Sequence, residues 1–350
     1  MMNLIRFSRA LATAAVVACL TASGAHAANS RAPRPAASVN LAGAEFGEPP
    51  GVIDKDYHYP GDDEFAWARA NGFVVVRLPF LWERLQPNLN EAFDADELAR
   101  LTAALDRARA HGLTTILDPH NYGRWRGAPI GSPAAPASAF ADFWTRLAMR
   151  FSGRKDVIFG LMNEPHDMPV AQWAAAAQAA VDAIRSTGAC NLTLIPGANW
   201  TGAHSWNAEI DGQSNAVAMA AIHDPGPHAF EFHQYLDSDW SGVHAECRKP
   251  DESVAALSVA TDWLRKRRQK GFLAEFGAGP SAQCLAGLDA MLHHMRANAD
   301  VWLGWSYWAA GAWWPPTYAL SIEPVAGQAR PQMATLANWI GKTKAPRGCK

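Results

Sequence analysis

Two glutamates stand where an apolar run gives way to polar residues: Glu164 in LMNEPHD and Glu275 in LAEFG. Paired carboxylates do acid–base and nucleophilic work when their protonation states differ, one donating a proton while the other attacks. Such a pair can cleave a glycosidic bond. Carboxyl groups about 5–5.5 Å apart give a covalent intermediate and retained configuration, and about 6.5–9.5 Å gives inversion. The sequence does not supply that distance. Other apolar runs end in the same manner, with Arg77 in VVVRLPF, His120 and Asn121 in DPHNYGRW, Asn163 before Glu164, His233 and Tyr235 in FHQYLD, and Trp308 in WSYWAAG. For any one of these the plainer reading is a structural polar group with a satisfied partner. Titratable groups at the ends of several apolar runs resist that reading, because unpaired buried charges are costly.

The runs that carry these residues read as eight strands, over 39–47, 73–80, 114–120, 157–165, 192–197, 230–237, 271–277 and 301–309. Near-continuous apolar segments suit parallel strands buried on both faces. Helical patterns lie between them. The clearest spans 94–112: Asp94 or Asp96 caps it, Leu98, Leu101, Leu105 and Ala108 repeat at helical spacing, and Gly112 ends it. The stretches 171–188 and 253–271 read similarly. The pattern predicts a single (β/α)8 barrel, an α/β fold whose chemistry gathers at the C-terminal strand ends. Over 199–221 the helix signal is poor, and a doubly wound open sheet is the alternative.

The chain has 350 residues, 49% hydrophobic and 18% charged, with a formal net charge of −2, which gives no electrostatic footprint for nucleic acid or an anionic membrane. Its 15 Trp suit a protein that lays flat rings against a ligand as well as in its core. Arg6 and Arg9 precede an apolar stretch over 11–22, and Ala25-His26-Ala27 forms an A-x-A site, the pattern of a secretory leader cut before Ala28. The apolar run is too short to span a membrane. A second reading is a lipobox, Val16-Val17-Ala18-Cys19, with Cys19 lipidated and retained on a membrane. Either way the protein leaves a bacterial-type cytoplasm. The expected organisation is a leader over 1–27, a Pro/Ala-rich linker over 28–38, the catalytic domain over 39–343 and a tail over 344–350. Besides Cys19 there are Cys190, Cys247, Cys284 and Cys349, which allow three pairings, and no C-x-x-C occurs.

The segments RLPF, DPHNYGRW, LMNEPH, HQYLDSDWSG, LAEFG and GWSYWAAG resemble glycoside hydrolase family 5, and the likeness covers about residues 40–325. HNYGRW and YLDSDWSGVHAEC are most similar to its endoglucanase branch. The resemblance implies a retaining (β/α)8 enzyme that cleaves β-1,4-glucosidic bonds, with Glu164 as acid/base and Glu275 as nucleophile. It implies that Arg77 and Tyr235 hydrogen-bond the nucleophile, that Asn163 contacts the sugar 2-OH, and that His120 and His233 line the cleavage subsite. Trp308 is the implied platform under the sugar. Trp125, Trp200 and Trp240 read either as further platforms or as loop core; Trp313 and Trp314 can do either job, and Trp206 has no placement. The resemblance also implies a Cys247–Cys284 disulfide; Cys190 and Cys349 have no such support. No cofactor, metal or obligate protein partner is expected, and the protein is expected to act as a secreted monomer on a polysaccharide. No separate carbohydrate-binding module is visible, so soluble or amorphous substrate is expected. Three rivals stand beside this. A metal-dependent barrel would use Asp118-x-His120, His166-Asp167 and His223-Asp224, although no H-x-H or H-E-x-x-H occurs. A binding protein that has lost catalysis would share the aromatic content. The same core acting on mannan, xylan or xyloglucan is the third.

Overall fold

The computed structural model describes residues 34–341 and 343–348. Eight parallel strands close into a barrel: β1 (Ala36–Leu41), β2 (Val75–Phe80), β3 (Thr114–Pro119), β4 (Val157–Gly160), β5 (Thr193–Pro196), β6 (His228–His233), β7 (Gly271–Phe276) and β8 (Trp302–Ala310). Each pairs with its sequence neighbours, and β8 closes on β1. The open-sheet alternative is thereby excluded. Helices follow the strands as α1 (Asp62–Ala70), α2 (Ala95–Ala110), α3 (Ala137–Phe151), α4 (Val170–Ser186), α5 (Asn215–Ala218), α6 (Pro250–Arg267), α7 (Ala282–Ala297) and α8 (Pro331–Ala337).

Local chemistry accounts for the best-read helix. The Asp94 carboxylate accepts the Glu97 amide at 2.8 Å, and Leu101, Ala104, Leu105 and Ala108 turn inward. The chain then leaves through Gly112 at φ +71°, a conformation that a Cβ disfavours. Where the helix signal is poor, α5 is a single turn between short 3₁₀ segments and a two-residue hairpin. Helix α6 stops at Arg267, before the predicted end at 271, because Arg268 turns left-handed and Gly271 already belongs to β7.

The first strand departs most from expectation. It begins at Ala36, inside the stretch read as a linker, and ends at Leu41 rather than at 47. Its start is made of small residues that carry no hydrophobic signal. They pair in register with Gly304, Trp305 and Ser306 of β8, and the Ser38 hydroxyl donates to the Trp305 carbonyl at 2.6 Å. The leader, Cys19 and Cys349 lie outside the described residues.

Inside the barrel the strands alternate with a period of two. Ala36, Val75, Ile116, Ile158, Leu194, Ala229 and Phe272 form an apolar layer distinct from the larger core between strands and helices. Two and four residues further along, several of the same strands carry buried polar groups: Ser38 and Asn40 on β1, Arg77 on β2, Asp118 and His120 at the end of β3, Glu231 and His233 on β6. The barrel therefore has an apolar floor and a polar mouth. On β7 one extra residue falls between Leu273 and Glu275 relative to β6. A bulge of this kind re-aims the side chain that follows it, which here is Glu275.

Candidate active site

Arg77 is the hub of the mouth. It is fully buried, and its guanidinium donates to Glu275 Oε1 at 2.6 Å, Asn163 Oδ1 at 2.9 Å, Asn40 Oδ1 at 3.0 Å and Glu231 Oε1 at 3.2 Å. Asp118 Oδ1 lies 3.1 Å from the same cation. One guanidinium thus faces three buried acids, Asp118, Glu231 and Glu275.

Glu275 is held by three groups from two strands, Arg77 on β2 and His233 and Tyr235 at the end of β6. Besides Arg77, the Tyr235 hydroxyl donates to Oε2 at 2.7 Å, and His233 Nδ1 lies 3.5 Å from the same oxygen. Burial alone would raise its pKa. The positive charges of His233 and Arg77, with the Tyr235 hydrogen bond, outweigh burial and hold Glu275 below the usual carboxylate range.

Glu164 has the opposite setting. Its side chain is 13% exposed against 3% for Glu275, so it is the more open of the two carboxyls. Burial raises its pKa, the Glu275 charge adds to that, and the His233 contact at 2.7 Å only partly offsets them. It also sits at φ +40°. That conformation is costly for a residue with a Cβ, and such strain clusters at functional sites. A carboxylate oxygen of each glutamate and a His233 nitrogen all lie within 4.8 Å of one another.

His233 links the pair to the barrel interior. Its Nδ1 meets Glu164 and its Nε2 meets Glu231 at 3.2 Å. Burial would lower its pKa, but the Glu275 charge and the bonds to Glu164 and Glu231 push it up to about 10. A second chain runs through β3. Asp118 Oδ2 meets His120 Nδ1 at 2.7 Å, and His120 Nε2 lies 3.1 Å from Asn163 Nδ2. The His120 ring stacks 5.5 Å from Trp308.

The structure thus brings Glu164, Glu275, Arg77, Asn163, His120, His233, Tyr235 and Trp308 together. Next to them is a cleft of about 650 Å³ lined by residues that include Glu45, Phe46, His120, Tyr122, Trp308 and Trp314. The other tryptophans divide. Trp200, 46% exposed, stacks on His166 at 3.5 Å with Tyr122 edge-on beside it. Trp240 stacks on His204 at 5.4 Å under the Arg248 guanidinium. Trp125 packs against the core, its indole N–H donating to the Gln86 carbonyl at 3.4 Å, and it does not line the cleft. Trp206 is fully buried against Phe232 and Trp263. Cys247 and Cys284 are joined in a disulfide, and Cys190 is also disulfide-bonded.

The pairs read as ligand-like have other occupations: Asp118 binds His120 and Arg77, Asp167 binds His166, and Asp224 binds Arg185. Asn40, Glu231 and the role of Asp118 beside Arg77 were not read from the sequence. Their signal is the period of two, since Asp118 precedes His120 and Glu231 precedes His233 by one pleat.

Comparison with known proteins agrees with this geometry. The family model described as Cellulase (glycosyl hydrolase family 5) matches residues 37–311. Endoglucanase gh5-1 of Neurospora crassa is 38% identical over 294 residues, 83% of this chain and 73% of the relative. The crystal structure of an endo-β-1,4-glucanase from Xanthomonas axonopodis pv. citri is 49% identical with a TM-score of 0.86, covering 87% of this chain and 98% of that one. XacCel5A, solved with cellopentaose, is 46% identical with a TM-score of 0.86 over 87% of this chain and 99% of its own. By a family match across the barrel, relatives alike in sequence and a shared fold, this chain belongs to glycosyl hydrolase family 5.

Proposed function

We propose that this protein cleaves internal β-1,4-glucosidic bonds of cellulose and related β-glucans with retention of anomeric configuration. The observation that carries this reading is the opposite electrostatic setting of two carboxyls whose oxygens lie within 4.8 Å. An oxygen-to-oxygen approach within that limit suits the separation of about 5–5.5 Å between carboxyl groups that a retaining mechanism uses. Ionised Glu275 attacks the anomeric carbon while Glu164 protonates the departing glycosidic oxygen. The carbon–oxygen bond breaks and a Glu275 ester forms. Glu164, now a carboxylate, takes a proton from water, whose oxygen attacks the same carbon and frees Glu275. Arg77 and Tyr235 keep the nucleophile ionised. Arg77 turns the Asn163 amide so that its NH₂ faces away from the cation and toward His120, leaving a second N–H to meet the sugar 2-OH. The sugar packs on Trp308, the exposed Trp200 carries a further unit, and Trp240 with the Arg248 guanidinium over its ring borders the chain. The disulfide accords with secretion into an oxidising compartment, where the protein acts as a monomer.

Glu164→Gln and Glu275→Gln are each expected to lower turnover of carboxymethylcellulose by about a thousandfold or more, with the circular-dichroism spectrum unchanged. Proton NMR of early products should show the β-anomer first, and a panel of mannan, xylan and mixed-linkage glucan should rank below or beside cellulose. Near-wild-type turnover by Glu275→Gln, or the α-anomer appearing first, would overturn the mechanism.

A further inference from the structure

The mechanism leaves three carboxyls lining the cleft without a task, Glu45, Glu48 and Glu83, and of these only Glu45 has a buried oxygen without a partner among the described residues. Glu45 lies in the loop after β1 and is one of the cleft-lining residues, with His120 and Trp308. The loop is firmly built. Gly43 packs its Cα against the His58 carbonyl, where a Cβ would come within 2.6 Å. The Arg84 guanidinium donates to the carbonyls of Ala44, Phe46, Gly47 and Pro50 while covering the Tyr57 ring at 3.8 Å. Within this frame the Gly43 amide donates to Glu45 Oε2 at 2.7 Å. Oε1, shielded from water, has no hydrogen-bond partner among the described residues. Buried polar atoms are satisfied in nearly every case, so an orphaned oxygen on a cleft-lining residue calls for a partner, a place that a ligand hydroxyl can take.

We propose that Glu45 is a substrate-binding residue whose Oε1 hydrogen-bonds a hydroxyl of the glucan chain passing Trp308. The inference rests on the β-glucan reading above and deepens it. Glu45 extends the contact surface to the β1 side of the barrel, which the closed strand order places opposite β5. Burial pushes the Glu45 pKa up to about 7; the His120 charge and the backbone amides oppose the rise, and Asp118 adds to it. Beside Glu45 and His120, the ionisable groups lining the cleft are Glu48, Glu83, Tyr122, Arg124 and His166. Below pH 7 Glu45 is therefore a neutral acid, and a neutral carboxyl offers a sugar hydroxyl both an O–H donor and an acceptor.

The test is steady-state kinetics on cellopentaose from pH 5 to 8 with the wild type, Glu45→Ala and Glu45→Gln. At pH 5 the alanine variant is expected to raise KM about tenfold, the worth of one hydrogen bond, with a much smaller change in kcat. The wild-type KM should climb between pH 6 and 8 as Glu45 loses its proton, and in Glu45→Gln, which has no proton to lose there, that climb should vanish. A KM for Glu45→Ala within about twofold of wild type overturns the proposal. So does a KM–pH profile shared by the wild type and Glu45→Gln, which is the deciding comparison if the alanine variant does not fold. If the wild type does not cleave cellopentaose, the substrate reading alone fails. The Glu45 comparison is then run on the oligosaccharide of whichever glycan the wild type cleaves.

Discussion

Tyr235 is the uncharged member of the trio that holds Glu275, and its placement depends on a glycine. The ring lies against Gly242, at φ +75°, where a Cβ would meet it within 2.5 Å. Burial and the nearby Glu275 charge hold the Tyr235 pKa well above the ordinary value, so it stays a donor across the working range. Its hydrogen bond is one of the causes that lower the Glu275 pKa. Tyr235→Phe removes that cause, so the Glu275 pKa should rise. The acid limb of kcat/KM should move to higher pH, with a loss of about tenfold at pH 5; superimposable profiles for the two proteins would contradict this. The fold's stability carries the same sign. A carboxylate with a depressed folded pKa stabilises fully above its unfolded value, and that contribution is lost as pH falls through the folded one.

At the scale of elements, strands aim the site and loops complete it. The segment after β6 is organised by Asp237, whose carboxylate accepts the amides of Gly242, Val243 and His244 and the Ser241 hydroxyl. The disulfide then ties Cys247 to Cys284 in the first turn of α7, across a sequence separation of 37. Closing a loop of that length restricts the unfolded chain, so replacing both cysteines with serine should cost about 2–4 kcal/mol, read as a lower midpoint in thermal unfolding. An unchanged midpoint would show that Asp237 organises the segment without help. Strand existence was legible from apolar runs, and α2 from its cap and spacing. Strand ends were not. Glu164 and Asn163 read as the end of a strand, yet β4 stops at Gly160 and both residues stand in the loop beyond it.

For the whole molecule, closure of the barrel converts distant residues into neighbours. Asn40 and Arg77 are 37 positions apart, Arg77 and Glu275 are 198 apart, and all meet in one buried network. Arg77 is the cation that lets Asp118, Glu231 and Glu275 share that space. Removing one partner of a buried ion pair leaves uncompensated charge. Arg77→Ala should therefore destabilise the fold by about 3–5 kcal/mol, more than Glu275→Gln does, as judged by denaturant unfolding of both. Equal stability of the two variants would mean that the acids take up protons and need no cation.

From the sequence alone came the strand count, the order of polar residues at strand ends, the two glutamates and a likeness that named their partners. These are local or ordered along the chain, which is why they can be read there. Tertiary structure decided three other things. It set the spacing of Glu164 and Glu275, because only closure fixes the distance across a barrel. It set their opposite proton affinities, because these depend on burial and on charges contributed by other strands. It also sorted the tryptophans, burying Trp206 in the core and leaving Trp200 open beside the cleft, since an indole carries the same hydrophobic signal in either place until its neighbours are assembled.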